Sequence, residues 1–140
     1  MKTAIHTILN TFGLNDDFVT AGSNLDSIWS IEIESKVGST SFSRPLVIAR
    51  EGMIIRLAHY TVSTYDVEYD PLVEFLVQDE SWTILSIYSH GSGNRVVGET
   101  LTVKEADAIV TAWASRLLET GYNDPNQACI SRKNLVQSKL

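Results

Sequence analysis

Three apolar segments between Met53 and Ser89 constrain the fold of this chain more than any other part of its sequence. They run from Met53 to Tyr60, from Leu72 to Gln78 and from Trp82 to Ser89. Each has the length and the content of branched and aromatic residues typical of a β-strand. Only Asp79 to Ser81 separates the second segment from the third, which predicts an antiparallel hairpin. The last segment is apolar on both faces and predicts a central strand.

Two further strands are predicted before these three. Trp29, Ile31 and Ile33 alternate with polar residues across Ile28 to Glu34, which indicates a strand with one buried and one wet face. Pro45 precedes the short apolar run Leu46 to Arg50, and Glu51-Gly52 predicts a two-residue turn into Met53. Within Met53 to Tyr60, Ile55, Leu57 and His59 share one face, and Ile54, Arg56, Ala58 and Tyr60 share the other.

Helices are predicted at both ends of this strand region. Ile5, Ile8, Leu9 and Phe12 form one apolar face of a helix from Lys2 to Phe12, and Gly13 follows it. Thr102 and Glu105 match a capping box, in which each side chain accepts a hydrogen bond from the other residue's backbone. A longer helix therefore starts after Thr102 and ends at Gly121, and its apolar stripe consists of Ala106, Ile109, Val110, Trp113 and Leu117.

The remaining segments are predicted to be irregular. Leu14 to Ser27, Lys36 to Ser43 and the connection Thr61 to Pro71 are rich in polar and turn-forming residues, which predicts loops. Arg95 to Gly98 is a candidate for one more short strand. We expect one domain spanning residues 1–140, with an ordered core over about 2–122 and a polar tail over 123–140 that consists of a loop followed by a frayed tail or a short helix.

This order predicts the α+β class. We expect a mostly antiparallel sheet of about five strands, with the N-terminal helix and the long C-terminal helix packed on one face. Trp29, Trp82 and Trp113 each fall on an apolar face and are expected in the core.

Acidic residues concentrate in the middle of the chain. No Lys or Arg occurs from Leu57 to Asn94, whereas six acids do, which equals the net charge of −6 because the other 11 acids are matched by 11 Lys and Arg. Acids two residues apart on an extended segment project to one side and could pair with a basic groove. A merely solvated face is the simpler alternative. The candidate partner-binding residues are Tyr65, Asp66, Glu68, Tyr69, Asp70, Glu74, Asp79 and Glu80.

The tyrosines in this region have two interpretations. Tyr60, Tyr65 and Tyr69 bracket a predicted loop that otherwise contains small and acidic residues. Tyrosine rings suit a protein interface, because they offer contact area and a hydroxyl at little entropic cost. Equally, the rings could pin the loop to its own domain.

Residues capable of catalysis or metal binding lack supporting patterns. His59 and His90 flank the acidic segment, but their spacing matches no compact metal-ligand pattern, and Asp66, Glu68 and Asp70 lack the glycine and later glutamate of a calcium loop. Cys129 stands in a polar segment without a nucleophile motif. We therefore predict no catalytic residue, no metal site, no cofactor and no enzymatic activity.

Composition also bears on the compartment and the type of partner. The single cysteine excludes an internal disulfide and suits a reducing cytoplasm. The N-terminus lacks the apolar core of a signal peptide, and no run approaches the roughly 18 apolar residues of a membrane helix. The acidic balance argues against direct binding to nucleic acid, because phosphates repel it.

Three short segments of the chain carry a resemblance to known proteins. They are Pro45-Leu46-Val47-Ile48, Leu57-Ala58-His59-Tyr60 and the Asp70-Pro71-x-x-Glu74-Phe75 pattern. In these segments the chain resembles a family of small uncharacterised proteins of phages, plasmids and other mobile elements. The similarity spans about Met1 to Tyr122 and includes Trp113-x-x-x-Leu117 and Gly121-Tyr122. Family members often carry Asn-Gly before the Asp-Pro, where this chain has Tyr65 to Tyr69. The resemblance implies an accessory protein of a mobile element acting in the cytoplasm of a bacterial host.

The acidic segment and this resemblance together lead to a prediction of function. By analogy with small acidic phage proteins, we expect a non-enzymatic, anti-CRISPR-like inhibitor that occupies a basic surface of a nucleic-acid-handling or CRISPR–Cas-like defence complex. Two alternatives stay open. One is a small-ligand protein or enzyme with a pocket near His59 and His90, and the other is a structural or oligomeric accessory protein with a self-complementary sheet edge.

Overall fold

The computed structural model describes residues 1–38, 42 and 44–137, with the side chains of the last strand described as far as residue 133. Within that part of the chain there are three helices: α1 (Lys2–Thr11), α2 (Asn15–Ala21) and α3 (Val103–Thr120). There are also seven strands: β1 (Ser27–Ser35), β2 (Leu46–Glu51), β3 (Ile54–Val62), β4 (Val67–Gln78), β5 (Ser81–Ser89), β6 (Gly93–Val96) and β7 (Ala128–Gln137).

All seven strands form one antiparallel sheet in the order β6-β5-β4-β3-β2-β1-β7. Consecutive strands from β1 to β6 are neighbours, so this part of the sheet is a meander. The chain then passes through α3 and returns to pair β7 with β1. The predicted α+β class is confirmed, whereas the predicted number of about five strands is too low.

The hydrophobic core lies between the helices and one face of the sheet. Alternate residues of β1 to β4 are buried there, as the alternation in the sequence predicts. The fully buried sheet residues include Ile31, Ile33, Leu46, Ile48, Ile55, Leu57, Val73, Phe75 and Ile87. The helices contribute Ile5, Ile8, Leu9, Phe18, Val110, Trp113 and Leu117. Trp29 is buried as expected, and Trp82 is half-buried against the same core.

Local sequence signals account for the ends of α3. Thr102 Oγ1 accepts a hydrogen bond from the Glu105 N–H at 3.1 Å, and the Thr102 N–H donates to Glu105 Oε1 at 3.1 Å. The bond from the Thr102 N–H to the carboxylate, followed by the contact of the carboxylate with the Thr102 side chain, lowers the pKa of Glu105. Gly121 ends the helix at a φ of 102°, a conformation that glycine adopts without steric cost. The capping box predicted at Thr102 is confirmed, as is α1.

The predicted loop from Leu14 to Ser27 is wrong, because it contains α2. This helix has no side-chain cap at its start, and its composition is polar apart from a few residues. Burial of Phe18 and Ala21 holds it against the sheet. Arg50 reinforces this contact, since its guanidinium lies 4.9 Å from the centre of the Phe18 ring and donates to the Phe18 carbonyl at 3.3 Å.

The predicted loop after Tyr122 is confirmed at residues 123–127. The frayed tail or short helix predicted beyond it is wrong as far as residue 137, because β7 pairs with β1 along its whole length, and residues 138–140 lie outside the described part of the chain. Ala128 is buried, whereas Ser131, Arg132 and Lys133 are exposed. An edge strand needs few apolar residues because its backbone hydrogen bonds hold it to the sheet. The sequence of β7 is polar for this reason, and its polarity alone does not distinguish it from an unstructured tail.

Three smaller corrections concern strand ends and positions. Glu51 pairs with Ile54, so the turn between β2 and β3 is Gly52-Met53, and Gly52 takes a φ of 57°. The short strand β6 begins at Gly93 rather than Arg95. The segment predicted as a central strand is β5, which lies beside the edge strand β6. Its apolar residues on both sides are explained by a register shift, since Glu74 pairs with Ser86 and the next residue, Phe75, pairs with Ile84.

The acidic connection between the second and third predicted segments is largely strand rather than loop. β3 continues to Val62 and β4 starts at Val67, so only Ser63 to Asp66 form the turn. The predicted loop from Lys36 to Ser43 is described only in part: Lys36 to Gly38 follow β1, and residues 39–41 and 43 lie outside the described part of the chain.

Candidate interaction surface

The end of the β3–β4 hairpin gathers the first group of candidate residues. Asp66 closes the turn, because its carbonyl accepts hydrogen bonds from the Ser63 N–H at 2.9 Å and from Ser63 Oγ at 3.3 Å. The Asp66 carboxylate in turn accepts from the Val67 N–H at 2.8 Å. Backbone hydrogen bonds and the Asp66 carboxylate thus hold the turn, and these bonds do not involve the side chain of the neighbouring Tyr65.

Four large apolar side chains are exposed at this end of the hairpin. Tyr65 is 97% exposed, Val62 68%, Val67 46% and Tyr69 43%. They are four of the nine large hydrophobic residues exposed in the described part of the chain. Apolar groups concentrated in this way on a surface mark an interaction site more often than scattered ones do. We call Val62, Tyr65, Val67 and Tyr69 the hairpin tip.

Tyr60 forms the base of the tip. Its ring packs edge-on against Tyr69 with a centroid distance of 6.0 Å, and its hydroxyl donates to Glu32 Oε2 at 2.8 Å. Burial, followed by the contact with Glu32, raises the pKa of Tyr60 to about 12. The hypothesis that tyrosines pin this segment to its own domain therefore describes Tyr60, whereas Tyr65 points to solvent.

The acids of β4 do not form the single row that their spacing predicts. Tyr69 pairs with Tyr60 and Leu72 pairs with Ala58, so Tyr69 and Leu72 share a face although they are three residues apart. The register shift opposite His59, where the Asp70-Pro71 bond is cis, absorbs the extra residue. Glu74 consequently lies on the same face as Tyr69, and Glu68 lies on the opposite face.

Glu74 is not a free acid. Arg56 lies directly across from it in the register and donates from Nε to Glu74 Oε2 at 2.8 Å. Ser86 Oγ donates to the other carboxylate oxygen at 3.4 Å, and Arg56 also approaches Glu51 at 3.4 Å. The charge of Glu74 is balanced within the sheet, so its assignment to a partner-binding row is not supported by its surroundings.

Asp79 and Glu80 lie at the far end of β4. They form the turn into β5, eleven residues beyond Glu68, which corresponds to on the order of 35 Å along a strand. Both have a positive φ, 50° and 67°, as the two central residues of a tight hairpin turn require. Lys2 Nζ donates to the Glu80 carbonyl at 2.6 Å. The predicted turn is confirmed, and its distance from Tyr65 separates these two acids from the tip.

Three acids remain beside the tip: Asp66, Glu68 and Asp70. Glu68 contacts the exposed His90 ring, and the Asp70 carbonyl accepts from Arg44 Nη1 at 2.7 Å. Arg44 is the one Lys or Arg residue with a described hydrogen bond to this group of acids. The surface at this end of the sheet is therefore apolar on one side and acidic on the other.

His59 is closed within the core. It is 5% exposed, its Nε2 accepts from Trp113 Nε1 at 3.0 Å, and its Nδ1 lies 3.0 Å from the Pro45 carbonyl. Since Nε2 must accept, the proton resides on Nδ1 and the ring is neutral. Burial, which outweighs the contact with Pro45, lowers the pKa of His59 to about 4. Both ring nitrogens are thus hydrogen-bonded within the protein.

The structure does not bring His59 and His90 into one site. His59 lines a surface depression with Trp113, Arg116 and Tyr122, whereas His90 lines another with Glu68 and Tyr88. Cys129 pairs with Glu34 at the β1–β7 edge and is partly exposed. Across the described residues, no group of three or more His, Cys, Asp and Glu side chains is arranged to hold a metal ion.

Sequence reasoning missed Val62 and Val67 as members of this surface. Both fall in the segment from Thr61 to Pro71, which the sequence predicts as a loop. The alternation of Tyr60, Val62, Val67 and Tyr69 around Ser63 to Asp66 was the available signal, because a turn centred there places all four side chains on one face.

Comparisons with known protein families, curated proteins and solved structures find no match to this chain. In the described residues, no helix is both long enough and apolar enough to cross a bilayer. The geometry of the hairpin tip is therefore the basis on which a function can be proposed.

Proposed function

We propose that this chain is a non-enzymatic binding protein that recognises a protein partner through the hairpin tip and the acids beside it. The exposure of Tyr65, at 97%, is the observation that carries the proposal. A tyrosine ring without intramolecular contacts loses no packing when it inserts into a partner, and tyrosine is enriched where interfaces form.

Charge supports a partner with a basic surface. Asp66, Glu68 and Asp70 lie in a stretch of the chain without Lys or Arg. Acids beside an apolar contact steer a basic partner during encounter, and the apolar residues then contribute most of the affinity. This arrangement needs only three acids at one end of the sheet, so the separation of Glu74, Asp79 and Glu80 from the tip does not weaken it.

The resemblance to mobile-element proteins is the reason for proposing the class of partner. A basic surface large enough for such docking is typical of complexes that hold nucleic acid. On this proposal, the chain belongs to a phage or another mobile element and acts in the bacterial cytoplasm. It inhibits a host nucleic-acid-handling or CRISPR–Cas-like defence complex by covering part of that surface.

Affinity capture with matched baits tests the proposal. The baits are the wild-type chain, a tip variant (V62T and Y65S) and a control variant (M53S) that changes an exposed apolar residue at the opposite end of β3. We expect a host protein that the wild type and M53S recover and the tip variant does not. Equal recovery of every captured protein by the tip variant would contradict a role for this surface.

A further inference from the structure

A surface depression between α3 and the residues before β2 brings two arginines together. Its volume is about 190 Å³, which is smaller than the sites that hold drug-sized molecules. Arg44, two residues before β2, and Arg116 of α3 both line it, together with the largely buried side chains of His59, Trp113 and Tyr122. The depression is therefore of a size for one compact chemical group.

The core holds the backbone of both arginines in place. The Tyr122 hydroxyl donates to the Arg44 carbonyl at 2.6 Å, and Arg44 Nη1 donates to the Asp70 carbonyl at 2.7 Å. Arg116 follows Trp113 by three residues on α3, so the two side chains are neighbours on the same side of the helix. Trp113 is in turn fixed by its hydrogen bond to His59.

Neither guanidinium is paired with an acid. The ion pairs in the described part of the chain are formed by Arg56, His90 and Lys133. Arg44 donates only to an uncharged carbonyl, and the side chain of Arg116 has no hydrogen-bond or ion-pair partner among the described residues. Two like charges at one depression repel each other, and an anion between them removes this repulsion.

His59 records the sign of the charge at this site. Burial is the main cause of its lowered pKa, and the contact with Pro45 opposes it. The charges of Arg44 and Arg116 lower the pKa further, and Asp70 raises it by less than either arginine lowers it. Positive charge thus prevails at this depression although the net charge of the chain is −6.

We propose that this depression binds a phosphate group, either as the free ion or as the phosphomonoester of a small molecule. A phosphomonoester carries a charge of about −1.5 to −2 at pH 7, which matches two guanidinium groups, whereas a carboxylate carries a single charge. Each guanidinium can donate two parallel hydrogen bonds to phosphate oxygens. This site is independent of the proposed protein interface, because it uses no residue of the hairpin tip.

NMR titration of the full-length protein at constant ionic strength tests the proposal. The probes are inorganic phosphate, phenyl phosphate and, as a singly charged control, acetate. We expect at least one of the two phosphates to shift the Trp113 indole N–H and the backbone amides of residues 116–120 saturably, with a Kd on the order of 1 mM, and acetate to bind more weakly. Tighter binding of phenyl phosphate identifies the ligand as an organic phosphomonoester, and tighter binding of inorganic phosphate identifies it as the free ion.

Matched variants separate this site from a general attraction to positive charge. R116Q removes one of the two charges, and R132Q removes the same charge from an exposed position on β7 outside the depression. We expect R116Q to raise the Kd of the better phosphate by roughly tenfold and R132Q to leave it unchanged. R116Q should keep the wild-type Tm because Arg116 is exposed and has no partner among the described residues, and R44Q provides a second comparison at the other side of the site.

Any one of four results would overturn the inference. The first is that neither phosphate produces saturable shifts at the depression. The second is that acetate binds as tightly as the better phosphate. The third is that R132Q weakens binding as much as R116Q does, and the fourth is that R116Q and R44Q, both folded, bind that phosphate with the wild-type Kd.

Discussion

The core around His59 and the hairpin tip use similar residue types in opposite ways. At His59, an imidazole, an indole and the phenol of Tyr122 are packed together, and the phenol donates to the Arg44 carbonyl at 2.6 Å. At the tip, Tyr65 is 97% exposed, and Tyr69, which lines a depression with His90, is 43% exposed. In the first region the polar groups form hydrogen bonds within the chain, whereas in the second the apolar side chains are exposed to solvent.

This difference teaches where function can reside in such a protein. A histidine whose two nitrogens are both bonded and whose pKa is far below neutrality stabilises the fold and is not poised for proton transfer. Exposed apolar rings gain free energy only when something covers them. We therefore propose that the His59 region stabilises the fold and that the tip serves recognition, and experiments can test each proposal.

Replacing Trp113 should produce the largest effect. W113A removes a fully buried ring and also the donor to His59 Nε2, so we expect a loss of ~3–5 kcal/mol in the free energy of unfolding. W113F removes mainly the hydrogen bond and should cost about 1–3 kcal/mol. Denaturant unfolding measures both. The control is Y65A, which we expect to lie within about 0.5 kcal/mol of wild type because Tyr65 is exposed; a Y65A cost as large as that of W113A would reverse the comparison.

The pKa of His59 predicts how stability depends on pH. The folded state resists protonation until about pH 4, whereas the unfolded chain takes up the proton near pH 6.5. Between these values the unfolded state binds more protons, so stability falls as the pH is lowered from 6.5 and the loss from this residue ends near 4. The gap corresponds to about 3 kcal/mol.

Unfolding experiments at several pH values, on the wild type and on H59Q, isolate this contribution from that of the carboxylates. We expect a weaker pH dependence in H59Q than in the wild type, because H59Q removes the imidazole that the fold keeps neutral. Identical slopes for wild type and H59Q would show that the imidazole is not held neutral by the fold.

The sequence predicted the His59 region better than the tip, for a physical reason. Alternation placed His59 with Ile55 and Leu57 on the core face, and the helical stripe placed Trp113 opposite. Their hydrogen bond joins residues 54 apart, and a pattern in one strand contains no information about such a partner. The local sequence therefore predicts which face of the strand His59 occupies, but it does not predict that Trp113 is its partner.

The tip shows the limit of spacing arguments. Asp66, Glu68 and Asp70 are two residues apart and Glu74 lies four residues beyond Asp70, so an unbroken strand would place all four on one face. A single bulge near Asp70-Pro71 places Glu74 on the other face. Pro71 is compatible with a bulge, but also with the first position of a strand, so the sequence does not decide between the two. β7 and α2 were missed for a related reason, because pairing with β1 and burial of Phe18 stabilise segments whose own sequences are polar.

Charge at the tip should have an intermediate effect, on association rather than stability. The triple variant D66N, E68Q and D70N keeps the shape of each side chain and the acceptor that the Val67 N–H uses, while it removes three charges. Exposed ion pairs contribute only ~0.2–1 kcal/mol each, so single changes would be ambiguous.

With a partner recovered by affinity capture, we expect the triple variant to associate more slowly than wild type at low salt and to respond less to added salt. Stopped-flow or surface-based kinetics at two ionic strengths measure both. The matched control is D79N with E80Q, which removes two charges at the far end of β4 and should leave association unchanged. Equal slowing by the control would mean that total charge, and not the tip, steers the encounter.

The smallest predicted effect concerns the far end of the same hairpin. Glu80 takes a φ of 67° in the turn between β4 and β5, and a side chain in this left-handed conformation costs roughly 1 kcal/mol that glycine does not incur. E80G should therefore be more stable than E80A by up to about 1 kcal/mol, because both variants remove the same charge and only glycine relieves the strain. The hydrogen bond from Lys2 is to the backbone carbonyl and survives in both. Denaturant midpoints of the two variants measure this difference. If E80A is as stable as E80G, the backbone is not strained at this residue, and Glu80 is again a candidate for partner binding.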